Sequence, residues 1–151
     1  MTITDTAASG LQTMHNFVYF DFVDFPKNGI TSAADTENLV KSICSIRYEL
    51  KNQASYHKLF AHDSRGGVQG ASTFVVLYGL MQQIDEGVTE DGQIKNAAEN
   101  LNVFNAVNNL RKDRANAIED FGTYQGLLHC LNYYGSKRSV ILQKVSTKNY
   151  S

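Results

Sequence analysis

The stretch Ala61-His-Asp-Ser-Arg-Gly-Gly-Val-Gln-Gly-Ala-Ser-Thr-Phe74 constrains this chain more than any other. A short apolar run, Leu59, Phe60 and Ala61, enters it, and a helical run from Ser72 leaves it. Between them lie Gly66, Gly67 and Gly70. Glycine reaches backbone conformations closed to other residues, so successive N–H groups can converge on one anion. The N-terminus of the following helix adds a favourable dipole. The stretch therefore reads as strand, anion-binding loop and helix. It contains no cysteine, and no arginine near the helix start, where a phosphoryl group would need one.

The rest of the composition narrows the function classes. A chain of 151 residues suits one domain with a modest core. With 14 basic and 15 acidic side chains it lacks the electrostatic footprint of a nucleic-acid or anionic-membrane binder. No apolar run approaches the ~20 residues of a membrane-spanning helix. The first ten residues lack a basic region and a long apolar region, so no signal peptide is expected and the expected location is cytoplasmic. Cys44 and Cys130 fall in apolar helical patterns and read as reduced, buried thiols. No Cys/His spacing suggests zinc, and neither a metal nor a cofactor is expected. His15, His57 and His129 read as structural or surface residues, and His62 belongs to the loop.

Taken in order, residues 1–13 are expected to be a flexible lead-in, 14–134 the domain and 135–151 a tail. Residues 14–25 are aromatic and β-branched, which is strand chemistry, and Pro26-Lys-Asn-Gly29 ends them in a turn. Ser32 or Thr31 caps the next helix, with Asp35 in a capping-box position. Leu39, Val40, Ile43, Ile46 and Leu50 then predict an amphipathic helix over 33–52. Residues 56–61 are a strand candidate. After the loop, Phe74 to Ile84 predict a helix apolar on most of its circumference, stopping at Gly87. A further helix runs through Phe104, Val107 and Leu110. The last carries Phe121, Tyr124, Leu128 and Leu131 as its apolar stripe, and the tail is read as a short strand or packed extension. Tyr133, Tyr134 and the aromatic cluster 17–25 read as core packing.

In this order the segments resemble the C-terminal half of a classical protein-tyrosine-phosphatase domain. Phe20-Asp-Phe-Val-Asp-Phe-Pro-Lys-Asn-Gly-Ile30 resembles the stretch F-x-Y-x-x-W-P-D-x-G-V, which carries the mobile acid loop. Gly66-Gly-Val68 and Thr73-Phe74 resemble parts of the signature H-C-S-A-G-V-G-R-T-G-T-F. Val103 to Arg114 resembles D-V-F-x-x-V-x-x-L-R-x-Q-R, and Ile118 to Tyr124 stands at the glutamine loop. The resemblance implies an α/β fold: the C-terminal portion of the phosphatase fold, with a short central sheet packed by about four helices. The N-terminal half of the family domain has no counterpart, which implies an exposed sheet edge or apolar face and possible self-association there.

The family's chemistry has four parts, and each falls on a substituted position. One alignment puts Ser64 at the nucleophilic cysteine; another, with one inserted residue, puts Asp63 there. Neither supplies a thiolate, and an aspartate would repel a phosphate dianion. Gly70 stands at the signature arginine, the bidentate clamp on the phosphoryl oxygens. Lys27 stands at the general acid. Glu119 and Thr123 stand at the glutamines that position water. The remnant of the phosphate loop is His62, Asp63, Ser64, Arg65, Gly66, Gly67, Val68, Gln69 and Gly70.

The resemblance thus implies a pseudophosphatase: no enzyme, but a binding, scaffold or regulatory module in phosphotyrosine or kinase signalling. Its expected partner is a protein, whether kinase, phosphoprotein or phosphatase. The alternatives are a truncated domain that still binds phosphotyrosine peptides, with Arg65 and Lys27 supplying positive charge, and a weak hydrolase built on His62, Asp63 and Ser64.

Overall fold

The structure, a computed structural model, describes residues 2–6, 12–16, 20–21, 25–26, 29–51, 60–63, 66–87 and 101–148, with backbone alone for the two strands and for 139–148. Strands β1 (Thr2–Thr6) and β2 (Gln12–Asn16) form an antiparallel hairpin in which Thr2 faces Asn16 and Thr6 faces Gln12. They occupy part of the stretch read as a lead-in, and β2 runs on into the strand candidate that begins at Met14. Four helices follow: α1 (Ala33–Lys51), α2 (Gly70–Glu86), α3 (Val103–Asp113) and α4 (Phe121–Lys148).

Local chemistry sets the helix starts. At α1 the capping box forms in full. The Asp35 N–H donates to Ser32 Oγ at 3.0 Å, while Asp35 Oδ2 accepts from Ser32 N at 3.2 Å and from Ser32 Oγ at 2.6 Å. At α3 the Asn102 side chain accepts from Asn105 N at 2.8 Å. At α4 Asp120 does the same for Thr123 N at 2.7 Å. Helix α2 has no such cap from its own flanking residue, Gln69; its first turn is satisfied from elsewhere, as described below.

The core lies between the helices. Helices α1 and α2 both pack on α4, and α3 packs on α2. Leu39, Val40 and Ile43 of α1 meet Val76, Leu77, Leu80, Met81 and Ile84 of α2 and Leu127, Cys130 and Leu131 of α4. Helix α2 buries one broad face, Ala71, Ser72, Thr73, Val76, Leu77, Leu80, Met81 and Ile84, while Val75 on the other side is exposed despite the helix's apolar composition. A polar tie joins three helices: Asp85 of α2 accepts from Arg47 of α1 at 2.8 Å, from Arg138 of α4 at 2.7 Å and from the Tyr134 hydroxyl at 2.7 Å.

Three expectations are corrected. Among the described residues the body is helical and holds no central sheet, and the hairpin is the one strand pair. The α/β reading fails because apolar helix faces here bury one another, leaving no role for a sheet. Of the two internal strand candidates, 14–25 is in a strand at Met14–Asn16, the end of β2, while at residues 20, 21, 25, 60 and 61 the chain is not in a strand.

The second correction is the apolar stripe of α4. Phe121 is 77% exposed and Leu128 39%, whereas Thr123, Leu127, Cys130, Leu131 and Tyr134 are buried. The helix is turned because Gly126 lets Ile30 press against it: a Cβ at Gly126 would stand 2.5 Å from the Ile30 Cβ. The third is the tail, where α4 continues without a break to Lys148.

Candidate functional site

The glycine-rich stretch does build an anion cradle. Phe60, Ala61 and His62 approach it exposed. Gly66 and Gly67 then take φ of 67° and 83°, the left-handed region that other residues seldom enter. The turn they make brings the Gly67 N–H beside the first turn of α2. Two N–H groups converge there on a single anion, and that anion is the chain's own Asp63. Its Oδ1 accepts from Gly67 N at 2.6 Å and its Oδ2 from Ala71 N at 2.8 Å. A carboxylate at this point satisfies one orphan donor of α2, the Ala71 N–H, and faces the positive end of the helix dipole. The Ser72 hydroxyl closes the turn by donating to the Gly67 carbonyl.

Gly70 lets the carboxylate approach closely. A Cβ there would lie 3.2 Å from Asp63 Oδ2 and 3.5 Å from the Phe25 ring. The nearby cation is Arg114, whose guanidinium covers the loop's backbone: a Cβ at Gly66 or Gly67 would come within 3.2 or 3.3 Å of its nitrogens.

The segment between α3 and α4 docks on the loop from the other side. Ile118 N donates to the Val68 carbonyl at 2.9 Å, and Gln69 Nε2 donates to Asp120 Oδ2 at 3.0 Å. Asp120 also accepts from the Thr123 hydroxyl at 2.7 Å. Burial raises the Asp120 pKa, but the bonds from Thr123 and Gln69 outweigh it and hold the carboxyl below its ordinary value. Arg111 fixes the turn by donating to the carbonyls of Ala117 at 2.8 Å and Ile118 at 2.5 Å. Ile118, fully buried and β-branched, sits at φ 55°, a strained conformation held by its bonds to Val68 and Arg111.

The sequence-derived candidates divide accordingly. Asp63, Gly66, Gly67, Val68, Gln69 and Gly70 come together in the loop. His62 is exposed at its entrance. Thr123 is buried beneath it with its hydroxyl engaged by Asp120, and Glu119 is exposed. Ser64, Arg65 and Lys27 lie outside the described residues. Sequence reasoning did not single out Asp120, and it met Arg111 and Arg114 only as matches to the L-R-x-Q-R stretch, with no role in the loop. Asp120 had a readable signal, an acidic residue three before Thr123 at the start of an apolar helix. The roles of both arginines depend on tertiary contacts.

Neither cysteine serves the loop. Burial pushes the Cys130 thiol up to about 12 and also raises that of Cys44, so neither readily forms a thiolate at neutral pH. Among the described residues no group of His, Cys, Asp and Glu could hold a metal, and no helix is long and apolar enough to cross a membrane.

The chain is thus a helical body with a glycine-rich turn at a helix start, where two N–H groups are taken by its own Asp63 and a second loop braces the turn. The sequence profile of the protein-tyrosine phosphatase family matches residues 3–133, most of the chain, and the protein belongs to that family. Neither curated proteins nor solved structures yielded a match.

Proposed function

We propose that this protein is a catalytically inactive member of its family, a pseudophosphatase that acts as a binding or scaffold module in phosphotyrosine or kinase signalling in the cytoplasm. One observation carries the reading: the Asp63 carboxylate is bonded to Gly67 N and Ala71 N, where the N–H groups of the loop converge. A phosphoryl group seeking the same donors meets a negative charge already bonded to them.

The substitutions around it point the same way. Gly70 offers no clamp, and the loop holds no thiol. Electrostatic preorganisation usually contributes most to such catalysis, so a cradle filled by the wrong charge forfeits the greater part of it. Retained phosphotyrosine binding and residual hydrolysis are both disfavoured by the same carboxylate.

Two measurements test the reading. Turnover of a generic aryl phosphate should not exceed that of a heat-treated control; clear turnover would overturn inactivity. Calorimetric titration with a phosphotyrosine peptide and its unphosphorylated twin should show no preference for phosphate. A strong preference would replace the scaffold reading with phosphopeptide recognition.

A further inference from the structure

The even overall charge hides a segregation. All 15 acidic residues and 10 of the 14 basic ones fall within the first 120 positions. After Asp120 come four cations, Lys137, Arg138, Lys144 and Lys148, and no acid, and all four lie on α4. Asymmetry of this kind, which net charge conceals, marks a surface for an anionic partner.

Helix α4 also outruns its neighbours. Ile30, before α1, lies at Gly126, and Arg47, near the end of α1, reaches Tyr134. Gln69, before α2, bonds to Asp120, and Asp85, near the end of α2, to Arg138. Both helices therefore run alongside α4 in its own direction. Beyond the tie at Asp85, α2 has one further residue, Glu86, and α1 has four beyond Arg47. Helix α4 continues ten residues past Arg138, to Lys148, which is about 15 Å at the helical rise.

The helical repeat sets two lines side by side on this extension. Ile141, Leu142 and Val145 continue the face on which Leu127, Leu131 and Tyr134 are buried upstream. Arg138 serves the tie at Asp85. The other cations, Lys137, Lys144 and Lys148, stand at i, i+7 and i+11 and so form a line along one edge of that face. The occupant follows from this pattern. Nucleic acid would use the lysines but not the aliphatic line. A protein groove takes large anchors, often aromatic, and residues 135–148 contain no aromatic residue. A shallow aliphatic face edged by lysines suits the boundary between anionic headgroups and acyl chains. The acidic body is no obstacle, because an extension of about 15 Å exceeds the Debye length of about 8 Å at physiological salt. We infer that the end of α4, from Lys137 to Lys148, is a basic amphipathic arm that docks on an anionic lipid surface. Docking of this kind needs no membrane-spanning helix, and it does not depend on the chemistry of the loop.

Flotation of the full chain with lipid vesicles tests it. Phosphatidylcholine vesicles enriched in phosphatidylserine should carry the protein, pure phosphatidylcholine vesicles should not, and added salt should release it. Each lysine at such a surface is worth about fivefold in affinity, so Lys144→Gln/Lys148→Gln should weaken binding about twenty-fivefold. Glutamine is as good a helix former as lysine, so the variant should keep wild-type circular dichroism. Should it lose helicity, Lys148→Gln alone decides, with an expected loss of about fivefold. Lys112→Gln removes an exposed charge of α3 and should bind as the wild type does. A wild-type chain that ignores anionic vesicles, binds both kinds equally, or is matched by the folded arm variants would overturn the inference. So would capture by soluble polyglutamate without vesicle binding, which would make the partner an acidic protein.

Discussion

Asp63 Oδ2 accepts a hydrogen bond from the backbone N–H of Ala71 at 2.8 Å, eight positions further along the chain. With the companion bond from Gly67 N, it makes the carboxylate a cap for α2 supplied from outside the helix. Replacing Asp63 by alanine should therefore destabilise the protein. Hydrogen bonds to a charged group are each worth about 1.5–3 kcal/mol, and a loss in that range should appear as a lower urea midpoint. Asparagine keeps one acceptor and should cost less. The emptied cradle should also accept inorganic phosphate. Phosphate should raise the melting temperature of Asp63→Ala and leave that of the wild type unchanged. An equal effect on both proteins would show that Asp63 does not block the cradle.

Gly126 tests the packing of α4. A Cβ there would stand 2.5 Å from the Ile30 Cβ and 3.1 Å from its carbonyl oxygen, both attached to the main chain. Alanine normally favours a helix over glycine by about 1 kcal/mol. Here overpacking should reverse the sign and cost about 1–3 kcal/mol net. Since the clash is with the Ile30 Cβ itself, Ile30→Gly should relieve part of it. The double variant should lose less stability than the two single variants together. Strict additivity would show that α4 shifts to make room.

The loop was legible in the sequence because its causes are local. Glycines at 66 and 67, an apolar run before and a helix after are all short-range signals, as was the capping box at Ser32 and Asp35. The positions taken as substituted come from the family resemblance and not from local chemistry. The absence of a central sheet was not legible, because a strand, unlike a helix, needs neighbours that local sequence does not show. Phe20, Phe25 and Phe60 satisfy strand preference, but at these residues the chain is not in a strand. The buried face of α4 was missed for a related reason. Phe121 and Leu128 fit the spacing, but only the contact between Ile30 and Gly126 decides which side of the helix turns inward. Nor could sequence choose between Asp63 and Ser64; the carboxylate's bonds to Gly67 and Ala71 show what Asp63 does in the loop.

Restoring the family's residues at two positions should not restore its chemistry. In Ser64→Cys/Gly70→Arg, the new side chain at 70 would begin 3.2 Å from Asp63 Oδ2. The guanidinium should then pair with that carboxylate and seal the cradle instead of opening it. Lys27 remains at the general-acid position. Aryl-phosphate turnover by this double variant should stay at the level of a heat-treated control. A large gain would show that the carboxylate and Lys27 weigh less than argued.

The tie at Asp85 predicts an acid limb in stability. Burial raises its pKa, but the Tyr134 hydroxyl, Arg138 and Arg47 outweigh this and hold it below the ordinary 3.8. The folded chain thus keeps this carboxylate charged at a pH where the unfolded chain has begun to take up the proton. Its contribution is complete above the unfolded value and is lost as pH falls through the folded pKa. Urea denaturation between about pH 2 and pH 6 should show this loss, and Asp85→Asn should flatten the slope. The slope should not vanish, because Asp120 is shifted in the same direction. At neutral pH Asp85→Asn should cost about 1–3 kcal/mol, towards the lower end, because the Arg138 side chain is 37% exposed and solvent screens that pair. On the alkaline side, burial and the bond to Asp85 push the Tyr134 hydroxyl up to about 12. Its contribution is complete below the unfolded value of 10.0 and falls away as pH rises towards 12. Tyr134→Phe should remove that decline and lose the bond to Asp85 at every lower pH. A Tyr134→Phe protein with an unchanged alkaline limb would show that Asp85 does not hold this hydroxyl in its protonated form.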